Sequence, residues 1–270
     1  MTMSTEAMMD WQEPTAAKAP PGAGREVFRT RVRETLPGGH VSLVALADMA
    51  QDAAARHAVS LGMGHDCVLP ERAVWVLGRL RLLARAYPRL GDAVLVETWA
   101  SGIERRAARR AFRFSTDAGG VIGLGTSSWS LFDLDARRPL GRVETIFERI
   151  PPPGPALLDF RKAGTGGGAN VASVVISPRP AEIDLWGHVN NTHLIAWVLG
   201  GAAGSVDAPL APLDFEVAFR AECRLTDRFE LTVTADPEGT VRSRLRRQDG
   251  GIDVVRATAT YDATARATDD

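Results

Sequence analysis

Apolar and polar positions follow two rhythms along this 270-residue chain, and the same order of rhythms comes twice. Over 42–61 apolar residues recur at Leu43, Leu46, Ala47, Ala50, Ala54, Ala58 and Leu61, the three-and-four spacing of one helix face. Ser42 stands where an N-cap belongs and Gly62 where a helix stops. Beyond Pro70 the period shortens, and 74–84, 93–100, 107–116 and 121–134 read as strands, with Asp117-Ala118-Gly119-Gly120 as the turn between the last two. The pattern then breaks over 151–170, where Pro-Pro-Pro-Gly and Gly-Thr-Gly-Gly-Gly hold neither a ladder nor a helix and read as a linker. After it the order resumes: a strand at 171–176, a loop over 184–191, a helix from Thr192, and strands at 214–223, 228–235, 240–247 and 252–261. One helix followed by several antiparallel strands in each half predicts an α+β fold in which each sheet wraps one helix.

The repetition extends to individual residues. Gly39-His40-Val41 opens the first helical run and Gly187-His188-Val189 the second. Arg85-Ala86-Tyr87-Pro88-Arg89-Leu90-Gly91-Asp92 aligns with Arg220-Ala221-Glu222-Cys223-Arg224-Leu225-Thr226-Asp227, five of the eight positions being identical. The chain is therefore read as an internal duplication, with halves over 25–150 and 171–262, a lead-in over 1–24 and a tail over 263–270. Two units of about 130 residues suit its length. A fused pair of this kind mimics a homodimer, places a ligand cleft between its halves, and leaves a further homodimer through exposed strands open.

Composition narrows the function. With 45% hydrophobic and 24% charged residues the chain is an ordinary globular protein, and a net charge of −1 argues against nucleic acid or an anionic membrane as partner. No run approaches the roughly 20 apolar residues of a membrane span, and no signal-like segment opens the chain. Two widely separated cysteines, Cys67 and Cys223, form no disulfide framework, so the expected compartment is the cytoplasm. Five histidines lack metal-ligand spacing, and neither a phosphate-binding glycine fingerprint nor a nucleophile elbow is present, so no metal or organic cofactor is expected.

Chemistry concentrates in Asp184-Leu185-Trp186-Gly187-His188-Val189-Asn190-Asn191. Asp184 and His188 lie four residues apart across a glycine, and the Asn190-Asn191 pair opens a helix whose N–H groups and dipole suit a developing oxyanion. The plainer reading is that Asp184 and the asparagines cap the helix and His188 packs beneath it. Glu222 is the third candidate. Strand parity groups Phe215, Val217, Phe219, Ala221 and Cys223 on a core face and sets Glu222 on the other, where it lines a site or pairs with Arg220 or Arg224. The same parity makes Cys223 a buried filler and not a nucleophile. Where the second half has Asp184 and Glu222, the first has Leu36 and Tyr87, so one half reads as catalytic and the other as supportive. Arginines at 105, 106, 109, 110 and 113, and at 242, 244, 246 and 247, form basic stretches suited to solvent, to an acidic carrier protein or to coenzyme A phosphates.

Several segments together resemble the acyl-ACP thioesterases of bacteria and plants. They are Met49-Ala50-Gln51-Asp52-Ala53-Ala54 with His57, Trp75-Val76-Leu77, Tyr87-Pro88-Arg89-Leu90-Gly91-Asp92, Val96-Glu97-Thr98-Trp99, His188-Val189-Asn190-Asn191 and Arg220-Ala221-Glu222-Cys223. The resemblance runs over about 26–262 in unbroken order. It implies a tandem hotdog fold, a C-terminal half that hydrolyses the thioester of a fatty acyl chain on acyl carrier protein, and an N-terminal half that shapes the acyl pocket. The family's aspartate, histidine and glutamate fall on Asp184, His188 and Glu222, with Trp186, Asn190 and Asn191 against the substrate. One departure stands out: Trp186 occupies the slot of the family's catalytic asparagine, and Asp-Leu-Trp-Gly-His is similar to the 4-hydroxybenzoyl-CoA thioesterase branch, in which the aspartate leads. The rival readings are an acyl-CoA thioesterase, a non-catalytic acyl-ACP-binding double hotdog, and a hydratase on the same fold.

Overall fold

The computed structural model describes residues 18–140, 151–161, 168–205 and 211–261. Most of the expected lead-in, the expected tail and the glycine-rich part of the linker lie outside these residues. The chain divides between Phe160 and Arg161 into two compact units, with Ser42–Ala45 grouping with the later one.

The earlier unit contains β1 (Gly24–Arg29), α1 (Leu43–Ser60), the short α2 (His65–Val68), β2 (Ala73–Ala84), β3 (Ala93–Glu104), β4 (Ala107–Thr116), β5 (Val121–Asp133) and the two-residue β6 (Arg138–Pro139). Its strands run in the order β1-β3-β4-β5-β2, with β6 beside β5, and the pairings are antiparallel. The apolar stripe does form the buried face of α1: Leu43, Leu46, Ala47, Ala50 and Ala54 are all buried. The cap is as expected, the Ala45 N–H donating to Ser42 Oγ at 3.2 Å, and Gly62 takes the left-handed φ of +67° that ends the helix. Strand β1 is not among those the hydrophobic pattern predicts. Its six residues alternate only between intermediate and exposed, so they carry little apolar signal.

The linker expectation needs correction over 151–160. This stretch has no helix or strand, as its prolines require, yet it is fastened to the earlier unit. Trp99 Nε1–H donates to the Pro155 carbonyl at 2.9 Å, the Gly154 N–H donates to the Ala100 carbonyl at 2.9 Å, and Leu157 is buried against Trp99, Ala111 and Leu124. Phe160 lies under two guanidinium groups, Arg79 at 4.2 Å and Arg109 at 4.3 Å from its ring centroid.

The later unit contains β7 (Ala169–Ile176), α3 (Asn191–Ser205), β8 (Asp214–Phe219), β9 (Phe229–Ala235), β10 (Thr240–Arg247) and β11 (Asp253–Thr260). The strand order is β8-β11-β10-β9-β7, again antiparallel, and α3 lies across β10, β9 and β7. The approach is close because Gly201 has no side chain: a Cβ there would sit 2.2 Å from Leu231 Cδ2. Phe215, Val217, Phe229, Leu231, Val233, Val241, Leu245 and Val255 form the sheet's buried face. Each unit has the one-helix, antiparallel-sheet arrangement of the hotdog fold. Among the described residues no helix is long and apolar enough to cross a membrane.

One strand is shorter than the sequence suggests. β8 ends at Phe219, and Glu222 and Cys223 lie in the irregular chain between β8 and β9. Period-two parity therefore stops applying before it reaches Glu222. Cys223 is nevertheless 1% exposed, as expected of a filler.

Candidate active site

The site begins with a turn that backbone hydrogen bonds fold back on itself. The Asp184 N–H donates to the His188 carbonyl at 2.8 Å and the Gly187 N–H to the Asp184 carbonyl at 3.0 Å. Gly187 has a φ of +79°, a left-handed conformation that glycine adopts without a Cβ penalty. The Asp184 side chain closes the turn from inside: its Oδ1 accepts from the Trp186 N–H at 2.9 Å and the His188 N–H at 3.2 Å. Among the described residues no hydrogen bond reaches Asp184 Oδ2. One carboxylate oxygen is thus pinned and the other held ready in a fixed direction.

Glu222 arrives from a different part of the unit. The Val189 N–H donates to the Cys223 carbonyl at 2.7 Å, tying the turn to the segment after β8, and this brings Glu222 Oε2 to 3.2 Å from His188 Nε2. Arg224 flanks the same carboxylate oxygen at 3.7 Å, and the Arg224 N–H donates to Asp227 Oδ2 at 2.9 Å, which holds the segment in shape. The His188 and Glu222 side chains are 27% and 47% exposed, so the pair stands at the surface, where solvent weakens its charge coupling.

The helix start differs from expectation. Asn190 is the N-cap: its Oδ1 accepts from the Thr192 N–H at 2.9 Å and from Thr192 Oγ1–H at 3.0 Å. The Asn190 N–H donates to the Glu182 carbonyl at 2.9 Å and the His193 N–H to the Asn190 carbonyl at 3.0 Å. These main-chain donors are engaged within the protein and do not form the outward-facing oxyanion site expected of them. What the cap does supply is an oriented carboxamide, since fixing Oδ1 on Thr192 fixes the direction of the Asn190 Nδ2–H2 group. Asn191 begins α3 itself. Trp186, which the resemblance sets against the substrate, is on the surface beside the still more exposed Leu185. Trp99, by contrast, is buried.

Cys223 is excluded as a nucleophile by its surroundings. Burial pushes its thiol up to about 12, far from the range in which a thiolate forms near neutrality.

The same scaffold recurs in the earlier unit without the carboxylates. There the Leu36 N–H donates to the His40 carbonyl at 2.8 Å, the Gly39 N–H to the Leu36 carbonyl at 3.0 Å, and the Val41 N–H to the Pro88 carbonyl at 2.7 Å. The Arg89 N–H donates to Asp92 Oδ2 at 2.8 Å, as Arg224 does to Asp227. Bond for bond this is the turn of the later unit, yet Leu36 stands for Asp184 and Tyr87 for Glu222, and His40 Nδ1 faces the Tyr87 carbonyl at 3.3 Å.

A tandem pair of hotdog units, one of which carries this acid and imidazole cluster, defines the class, and comparison with known proteins agrees. Residues 24–150 match the acyl-ACP thioesterase N-terminal domain and residues 169–262 its C-terminal domain. The chain belongs to the acyl-ACP thioesterase family. Among curated relatives it is 25% identical over 244 residues to the chloroplastic oleoyl-acyl carrier protein thioesterase 2 of Arabidopsis thaliana, covering 84% of this chain and 66% of that one. It is 26% identical over 254 residues to the chloroplastic dodecanoyl-[acyl-carrier-protein] hydrolase of Cinnamomum camphora, covering 86% and 66%. The chain thus spans just under two thirds of the length of these relatives. Among solved structures its fold matches an acyl-ACP thioesterase from Bacteroides thetaiotaomicron with a TM-score of 0.76 at 21% identity, covering 89% of this chain and 98% of that one. It matches the 12:0-ACP thioesterase from Umbellularia californica with a TM-score of 0.75 at 22% identity, covering 91% and 99%.

Proposed function

We propose that this chain hydrolyses fatty acyl-ACP to free fatty acid and holo-ACP, with the chemistry carried by the later unit. The observation that carries this reading is the Asp184 carboxylate, pinned through Oδ1 and open at Oδ2, on a turn whose counterpart in the earlier unit has no acid. Family membership across both units supports the substrate class, and the acyl-ACP substrates in the relatives' names support the carrier.

In this reading Asp184 Oδ2 orients a water molecule and takes its proton as the water oxygen forms a bond to the thioester carbon. The Asn190 carboxamide N–H, with the positive end of α3 behind it, holds the oxygen that becomes anionic. When the tetrahedral intermediate collapses the C–S bond breaks, and His188 gives a proton to the departing sulfur. Glu222, 3.2 Å from Nε2, orients the ring. His188 then recovers the proton held by Asp184, so one water is consumed and one acid and one thiol are released. No step draws on a group other than these side chains and water.

The reaction belongs with fatty-acid synthesis, since it ends chain growth on the carrier. Two free cysteines, one exposed and one buried, support the expectation of the cytoplasm as its compartment. The direct test is release of free thiol from acyl-ACP. A wild-type rate no higher than that of an Asp184→Ala/Glu222→Ala double variant would defeat the proposal, and tight acyl-ACP binding with no turnover would favour the non-catalytic alternative.

A further inference from the structure

A second feature of the later unit is a surface hollow of about 560 Å³ lined by Arg220, Arg244, Gly251, Ile252 and Asp253. Its charge is unbalanced. Arg244 Nε donates to Asp253 Oδ1 at 2.6 Å and Arg256 Nε to Asp253 Oδ2 at 2.8 Å, so one carboxylate serves two guanidinium groups. Arg246 Nε donates to the Gly251 carbonyl at 2.7 Å and brings a further cation to the same turn. The guanidinium of Arg220 has no ion pair or hydrogen bond among the described residues, although its backbone is firmly placed by the Arg220 N–H bond to the Val254 carbonyl at 2.9 Å. The result is an open surface hollow with an unpaired cation at its edge and, even with Asp249 on the adjoining turn, more arginines than carboxylates around it. Such a cavity suits a phosphate, which guanidinium groups bind through paired N–H donors.

Its position relates it to the catalytic cluster. Arg220 precedes Glu222 by two residues, so their Cα atoms are no more than about 7 Å apart, and the long arginine side chain extends the reach. We propose that this hollow binds the phosphoester at the head of the pantetheine arm while the thioester at the arm's other end lies at Asp184 and His188. The inference rests on the thioesterase reading above and deepens it by assigning the residue that recognises the carrier's arm. Arg220 is a binding residue here and takes no part in the chemistry.

The test has a binding part and a kinetic part. Titrating the full chain with 4′-phosphopantetheine and with pantetheine should show the phosphorylated arm binding roughly tenfold more tightly, with the difference lost in Arg220→Ala and partly kept in Arg220→Lys. In thiol-release assays Arg220→Ala should raise KM roughly tenfold for both acyl-ACP and acyl-CoA, which share the arm phosphate, and leave kcat and the KM for phosphate-free acyl-pantetheine unchanged. Equal binding of the two arms by the wild-type chain, or an undiminished preference in Arg220→Ala, would overturn the inference. A KM shift confined to acyl-CoA would overturn it as well, because the hollow would then be reading the nucleotide's phosphates. If the wild-type chain hydrolyses no thioester yet binds phosphopantetheine in an Arg220-dependent way, the proposed reaction fails and the arm-binding assignment stands.

Discussion

Replacing Asp184 by asparagine separates the two things its carboxylate can do. Oδ1 accepts from the Trp186 and His188 N–H groups, and both are donors. An amide at this position must therefore present its oxygen to them, because its NH2 group would face two donors with a third. Asp184→Asn keeps the turn and puts an NH2 group, which cannot take a proton from water, where Oδ2 was. Loss of charge assistance on two hydrogen bonds costs about 1–2 kcal/mol of turn stability, equivalent to a melting temperature lower by a few degrees. Loss of a general base costs roughly 100- to 10,000-fold in kcat, or about 3–5 kcal/mol of barrier. The two magnitudes are far enough apart to be read independently from thermal denaturation and from steady-state thiol release on acyl-ACP. If Asp184→Asn turns over within threefold of wild type, Asp184 is only a turn anchor and the base lies elsewhere, with Glu222 the next candidate.

Glu222→Gln keeps an acceptor for His188 Nε2 but removes the charge, and at half exposure this should lower kcat about tenfold in the same assay; an unchanged kcat would remove Glu222 from the mechanism. Cys223→Ala should keep kcat within about threefold while costing about 1–2 kcal/mol in urea denaturation, and a loss beyond 100-fold would contradict its role as a filler. Burial, reinforced by the Arg110 charge, holds the His57 imidazole below its ordinary value, so the unfolded chain takes up the proton first. Its contribution to stability should be complete above about pH 6.5 and fall as pH drops from there towards the lower folded value, a slope in the urea midpoint that His57→Gln should flatten. Arg105 and Arg106 form the β3–β4 turn with φ of 49° and 66°, conformations that cost a bulky residue about 1 kcal/mol or more each. Arg106→Gly should therefore raise the melting temperature, and a lower one would contradict the strain argument.

How far the sequence could be read depended on how local each determinant was. The α1 stripe, the 107–116 strand and the Gly119 turn are set by neighbours a few residues apart, and they fall where the pattern puts them. Strand β1 and the docking of 151–160 were not legible. Val27 in β1 is largely exposed, and the fastening of Leu157 and Phe160 depends on Trp99, Arg79 and Arg109, far away in the chain. At the site, Glu222 was legible as a candidate through the duplication and the family resemblance, and its contact with His188 was not. Parity reasoning set Glu222 on a strand face, but the strand stops three residues earlier, and the Val189 to Cys223 hydrogen bond is what brings the two together. The use of the helix-start N–H groups was misjudged because Asn190 serves both as the N-cap through its side chain and as the acceptor for His193 through its carbonyl.

The repeated turn shows what the later unit carries that the earlier one does not. Three backbone bonds, from residue 36 or 184, 39 or 187, and 41 or 189, shape both copies, so neither turn requires a carboxylate in order to fold. In the earlier unit Leu36 fills the first position, and the same three main-chain bonds close the turn without a carboxylate there. The Asp184 side chain is thus an addition to a turn that is already complete. It uses one oxygen to tighten that turn and leaves the other without a hydrogen bond among the described residues. That surplus acceptor, on the copy that also brings a glutamate to its histidine, is what the proposed reaction would use and what the earlier copy lacks.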